Sequence, residues 1–137
     1  MFTPKKTKYR KMQKGKSRNR TFESRGTELE YGTYGIKVMD NCYITSRQIE
    51  SGRRVLLRYT RKTGKIWIRI FPNKPITKKP PEVGMGKGKG DVDHYVFVAK
   101  PGRVVYEIDG VTDEVAMKAL KQVGYKLPAR TKIIKKI

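Results

Sequence analysis

Residues 44–71 read ITSRQIESGRRVLLRYTRKTGKIWIRIF, and the fold class turns on a change of period inside this stretch. The first part is helical. Ile49 and Leu56, with Gly52 or Arg53 between them, repeat at the spacing of one helix face. Thr45 is a residue type that caps helix starts and Gly64 one that ends helices, so a helix is expected from Thr45 to about Lys62. The second part alternates. Ile66, Ile68 and Ile70 point one way and Trp67 and Arg69 the other, the pattern of a half-buried strand. The isoleucines are expected in the core. Trp67 and Arg69 are expected beside the basic face of the helix, as a stacking platform, or with Trp67 packed under a loop.

Outward from this centre the same signals continue. Residues 31–39 read as a strand with glycine bends. After Phe71 comes a stretch to Asp93 carrying Pro72, Pro75, Pro80, Pro81 and a run of glycines, expected as one long loop. Tyr95–Ala99 and Arg103–Ile108 read as two strands joined by a hairpin turn at Lys100-Pro101-Gly102. Thr112 caps a second helix, with Asp113 and Glu114 favourable at the positive end of its dipole. Its core face holds Val115, Ala116, Ala119, Leu120 and Val123, and Gly124 stops it. Ile133, Ile134 and Ile137 suggest a final strand. The expected class is α+β, with about five strands, two helices and antiparallel pairing. Residues 1–22 are expected to form a basic arm and residues 23–137 one domain.

Charge sets the class of partner. Lys and Arg total 33 against 12 acids in 137 residues, a net charge of +21. A free domain of this size usually carries a charge of magnitude about 2 to 8. The excess repels itself in a compact state, and a polyanion relieves it by releasing its own counterions. The positive charge is also zoned. Residues 1–22 hold nine basic residues and no acid, among them Lys5, Lys6, Lys8, Arg10, Lys11, Lys14 and Lys16. Tyr9 sits within this block, and an aromatic among cations suits base stacking as well as phosphate contact. Residues 51–81 hold ten basic residues and no acid. Arg47, Arg54, Arg58 and Arg61 recur at spacings of seven, four and three, so they share a helix face. The acids gather at Glu23–Glu30 and Asp91–Glu114, which implies a second, protein- or solvent-facing flank.

Gly84-Met85-Gly86-Lys87-Gly88-Lys89-Gly90 alternates glycine with long side chains. Such a ribbon can lie close to phosphates or enter a narrow cleft, because glycine leaves backbone N–H groups uncovered and tolerates positive φ; the alternative is a flexible glycine linker. It does not fit a P-loop, which needs Gly-Lys followed by Ser or Thr. Chemistry has little to work with. His94 and Cys42 are the only residues of their types and stand in different segments, and no metal-ligand spacing occurs. Asp91 and Asp93 could hold a cation, but acids beside a basic ribbon more often make local salt links, and that is the expectation here. Neither an enzyme nor a cofactor is expected. The single cysteine points to a reducing compartment, and no apolar run has the length of a membrane span.

Several segments in order resemble one family. They are Pro4–Lys11, Ile44–Glu50, Trp67–Pro72, Lys74–Pro80, Met85–Gly90, Pro101–Glu107 and Lys126–Pro128. Together they resemble the bacterial-type or organellar large-subunit ribosomal protein sixteen family over nearly the whole chain. The resemblance implies a hammerhead-like antiparallel sheet with two helices. It implies binding of large-subunit rRNA near the peptidyl transferase centre and help in forming the aminoacyl-tRNA site, with P-site tRNA as a further candidate contact. The basic arm would thread rRNA, and Lys78, Lys79 and Met85–Gly90 would approach tRNA. Arg47, Arg54, Arg58, Trp67 and Arg69 are further rRNA candidates. Other expected partners are neighbouring ribosomal proteins, with no membrane and no homo-oligomer, in a cytoplasmic or organellar ribosome. Two departures stand out. The family commonly places arginine, hydroxylated in some bacteria, where this chain has Gly84. It also tends to have alanines at Ser51 and Gly52. The competing reading is a free nucleic-acid chaperone or DNA-coating protein.

Overall fold

A reciprocal cap starts the first helix, α1 (Ser46–Thr60). The Gln48 N–H donates to Thr45 Oγ1 at 3.2 Å, and the Thr45 N–H donates back to Gln48 Oε1 at 2.9 Å. Two N–H groups that the helix cannot satisfy are thereby paired. Ile49, Gly52, Val55, Leu56 and Thr60 are its buried residues. The helix ends at Arg61, whose φ of 52° places a non-glycine residue in the left-handed region. Gly64, the expected stop, lies beyond this point and makes a close approach to Asp109 and Thr60 instead. Lys62 lies outside the described residues. The computed structural model describes residues 2–5, 8–12, 22–61, 63–82, 84, 86 and 88–137.

The strands are β1 (Tyr34–Val38), β2 (Cys42–Thr45), β3 (Lys65–Ile68), β4 (Lys74–Lys78), β5 (Asp91–Ala99), β6 (Val104–Asp109) and β7 (Thr131–Lys135), and a second helix α2 spans Asp113–Gly124. They form two antiparallel sheets among the described residues. One has four strands in the order β3-β6-β1-β7, the other three in the order β2-β5-β4. The α+β class and antiparallel pairing are as expected, with more strands than the sequence suggested.

Two expectations about this region are corrected. Ala99 and Val104 do not flank a hairpin, because β5 and β6 belong to different sheets. Pro101 has no N–H to give a ladder, and beyond it Gly102 N–H turns to the Val38 carbonyl and Val104 N–H to that of Gly26. Nor is residues 71–93 one loop. Lys74–Lys78 is a strand at the edge of its sheet, where Pro75 is tolerated because only one side of the strand must be paired.

The core lies between the four-stranded sheet and the two helices. Tyr34, Ile36 and Val38 from β1 and Tyr106 and Ile108 from β6 meet Ile49, Val55, Leu56, Ala116, Ala119, Leu120 and Val123. Tyr106 Oη donates to the Ile49 carbonyl at 2.6 Å and fixes α1 to the sheet. Thr112 Oγ1 accepts the Val115 N–H at 3.4 Å to open α2.

The opposite face of the same sheet is closed by residues 23–33. Leu29 lies against the bare backbone of Gly35. Glu107, fully buried in the apolar strand β6, holds this strap. Its Oε1 accepts the N–H groups of Glu30, Tyr31 and Gly32 at 2.9, 2.9 and 3.0 Å, and its Oε2 is paired with Arg69. Burial pushes the Glu107 carboxyl up, but these N–H donors and Arg69 outweigh it and hold it below the usual range. Arg103 adds a second tie, donating to the carbonyls of Arg25 at 3.2 Å and Arg69 at 2.8 Å. Its guanidinium also lies 5.2 Å from the ring of Phe97, which joins the strap to the three-stranded sheet.

Candidate nucleic-acid interface

The basic residues fall into separate surface groups. On α1, Arg47, Arg54, Arg58 and Arg61 are all exposed, as their spacing predicts. Glu50 tempers this face. It pairs with Arg53 and, at 3.4 Å, with Arg54. The hydrogen bonds and charge of Arg53, with help from Arg54, hold its carboxyl down to about 2, so it stays ionised at any ordinary pH. Arg58 extends over the ring of Tyr59 at 5.9 Å.

Trp67 and Arg69 do not join these arginines. Ile66 and Ile68 line a shallow pocket with Arg53 and Leu57, so α1 covers the isoleucine side of β3. Trp67 pairs in register with Glu107 and lies on the strap side. Tyr31 stacks on it with ring centroids 6.0 Å apart and planes 19° from parallel. The Arg69 side chain is largely buried, engaged by Glu107 and, at 3.5 Å, by Glu30. The pair is therefore separated by the sheet from the helix face it was expected to border.

The second group is built by segments far apart in sequence. The three-stranded sheet turns one face to the core through Ile44 and Ala99. By register, Tyr43 of β2, Val96 and Val98 of β5, and Lys74 and Ile76 of β4 share the other face. Over this face the N-terminal arm meets the glycine–lysine loop. Lys11 Nζ donates to the Lys89 carbonyl at 3.1 Å, and Lys89 Nζ donates to the Met12 carbonyl. Arg10 reaches Asp91 at 4.0 Å. Lys79 Nζ donates to the Gly86 carbonyl, tying the loop to the end of β4. Gly86 and Gly88 have φ of +100° and +97° with open space around them, so backbone conformation is what demands glycine there.

Farther up the arm, Phe2 packs edge-on against Phe71, with centroids 6.3 Å apart. Lys8 lies 5.5 Å from the ring centre of Tyr9, which is exposed, as are Lys5 and Arg10. Lys78, Gly88 and Lys89 are exposed and Gly90 half-buried. The candidates Lys6, Lys14, Lys16, Met85 and Lys87 lie outside the described residues.

Sequence reasoning missed Tyr43 and Lys74 on the outer sheet face. It also missed Glu107 and Arg103, which hold the strap. A lone acid in the apolar run of β6 was the available signal for Glu107; nothing local marks the others.

Burial pushes the Cys42 thiol up to about 11, so it is protonated and a poor nucleophile near neutrality. His94 Nδ1 contacts Asp93 at 2.7 Å in an exposed pair. No group of three metal-ligating residues occurs among the described residues.

The chain is a small α+β protein with two separate basic surfaces. A family model described as ribosomal protein L16p/L10e matches residues 4–134, and the chain belongs to that family. Large ribosomal subunit protein uL16 of Alkalilimnicola ehrlichii is 52% identical over 136 residues, covering 99% of this chain and 98% of the relative. The uL16c proteins of Tetradesmus obliquus and Oedogonium cardiacum are 51% and 50% identical over 135 residues, covering 98% of this chain and 96% and 97% of theirs. Members of this family are structural components, not enzymes.

Proposed function

We propose that this chain is a structural constituent of the large ribosomal subunit that binds large-subunit rRNA near the peptidyl transferase centre and helps form the aminoacyl-tRNA site. The α1 arginines and the arm neutralise rRNA phosphates. The loop from Lys78 to Gly90 reaches A-site tRNA, with P-site tRNA as a second candidate contact. Neighbouring ribosomal proteins are further partners, in a cytoplasmic or organellar ribosome. The observation that carries this reading is the convergence of arm and loop. Two acid-poor segments about 77 residues apart meet over one sheet face, a surface suited to a single folded RNA.

Sedimentation tests the assembly claim. Tagged protein is expected to travel with large subunits in a lysate, and recovery only as free protein refutes it. Replacing Lys87 and Lys89 with alanine tests the loop. Subunits should form normally but accommodate A-site tRNA less well. Loss of incorporation with normal tRNA handling makes the loop an assembly element. Equal affinity for duplex DNA and folded rRNA at matched salt favours a general nucleic-acid coating role instead.

A further inference from the structure

Beneath the arm–loop contact lies a cleft of about 380 Å³, lined by Met12, Tyr43, Lys74, Pro75, Ile76, Thr77 and Lys89. Its size falls in the range of roughly 300–1,000 Å³ typical of sites that enclose small ligands. The arrangement is chemically divided. Tyr43, Pro75, Ile76 and Met12 give apolar and aromatic walls, while Lys74 and Lys89 bring ammonium groups to the lining. Lys74 Nζ donates to Tyr43 Oη at 3.2 Å but is 5.1 Å from the ring centre. The ammonium thus sits at the hydroxyl end of the ring rather than above its middle, where a flat group would stack. Lys89 bonds the backbone carbonyl of Met12 and Lys11 that of Lys89. These carbonyls are weak partners for ammonium groups compared with a phosphate, which offers a full charge. Arg10 lies 4.0 Å from Asp91.

We propose that this cleft accepts one extruded base of single-stranded RNA, stacked against Tyr43, with the flanking phosphates taken by Lys74, Lys89 and Lys11. Arm and loop then form the two walls of a base pocket, and their mutual lysine–carbonyl contacts are exchanged for phosphate contacts on binding. An aromatic ring on an open sheet face, ringed by cations, is a general way to hold an unpaired base. The proposal rests on the RNA-binding reading above and adds a base-specific element that phosphate contacts alone do not supply.

The test uses the full chain and three probes: a uridine tetranucleotide, inorganic phosphate, and a duplex RNA, all at matched ionic strength. In amide NMR spectra the tetranucleotide is expected to move the signals of Tyr43, Ile76 and Thr77, and phosphate to leave them in place. Tyr43→Leu should weaken tetranucleotide binding about tenfold, the value of one stacked base, and leave duplex binding unchanged. Tyr43→Phe keeps the ring and should bind nearly as well as the parent. Shifts shared equally by phosphate and tetranucleotide would overturn the proposal, leaving a purely ionic site. So would a Tyr43→Phe defect as large as that of Tyr43→Leu, which assigns the effect to the Lys74 hydrogen bond. The mapping on the parent protein decides the matter even if Tyr43→Leu folds poorly. Failure here with normal sedimentation in large subunits removes the base pocket alone, whereas absence from subunits removes the broader reading.

Discussion

Gly52 and Tyr106 meet where α1 crosses the sheet, and their contact explains a residue that looks unfavourable in a helix. Glycine costs about 1 kcal/mol relative to alanine in a helix interior. Here a Cβ would stand 2.8 Å from Tyr106 Cζ and nearer still to its hydroxyl, which is fully buried and bonded to Ile49. Tyr106 is fully buried and held to α1 by that hydrogen bond. Gly52→Ala is therefore expected to destabilise the fold by about 1–2 kcal/mol despite better propensity, because overpacking outweighs it. Urea unfolding measures this, and adding Tyr106→Phe should return part of the loss by removing the clashing oxygen. A net gain in stability from Gly52→Ala alone would show that the helix shifts freely over the sheet.

At the scale of elements, the strap over residues 23–33 depends on one carboxylate. Glu107 is held below the usual carboxylate range in the folded state, so its contribution is present above its unfolded pKa of about 4.3 and is lost as pH falls through the folded value. The strap should loosen in that acid window, read as a change in the fluorescence of Trp67, on which Tyr31 stacks. Glu107→Gln should remove this part of the pH dependence. Glu107→Ala, which removes the buried partner of Arg69 and the acceptor of the Glu30, Tyr31 and Gly32 N–H groups, should cost about 3–5 kcal/mol.

The helix face behaves differently. Arg54 and Arg58 are exposed and contribute little to stability, so replacing both with alanine should change it by no more than about 0.5 kcal/mol. The log–log salt slope of rRNA binding should nevertheless fall by about 2. An unchanged slope would remove α1 from the RNA surface.

How much of this was legible follows from range. Both helix caps are written in local residues, Thr45 with Gln48 and Thr112 with Val115, and were readable. The alternation in β3 gave the correct division of faces, but not what covers each face. That was decided by residues 23–33, and no local pattern announces a strap. The prolines hid β4, because the sequence does not say that this strand is an edge. The Pro101-Gly102 turn looked like a hairpin because strand–turn–strand is local, whereas the choice of partner sheet is not. At the site, the arginine spacing on α1 and the glycine–lysine run were plain. The meeting of Lys11 and Met12 with Lys89, and the cleft beneath, were not, since nothing in either segment refers to the other.

The whole molecule carries +21 on 137 residues, and in isolation that charge works against compactness. Raising salt from about 0.1 M to about 1 M shortens the Debye length from about 10 Å to about 3 Å. The free protein's thermal midpoint is expected to rise by several degrees over that interval, while its affinity for RNA falls steeply. A midpoint that drops with salt would mean that attractive ion pairs such as Asp40–Arg130 outweigh the net repulsion.

The strap has a consequence for the order in which the chain becomes a protein. Its N–H groups at Glu30, Tyr31 and Gly32 wait for a carboxylate made 77, 76 and 75 positions later. β1 waits as well, since both its neighbours, β6 and β7, come from the far end of the chain. Contacts of such long sequence separation form slowly. While the chain is being made, its N-terminal third holds an unpaired β1, whose Tyr34, Ile36 and Val38 have no core to enter, together with a dense positive arm. A nascent chain of this kind is exposed to premature capture by stray nucleic acid, and the last 30 or so residues, from Glu107 to Ile137, decide when that interval ends.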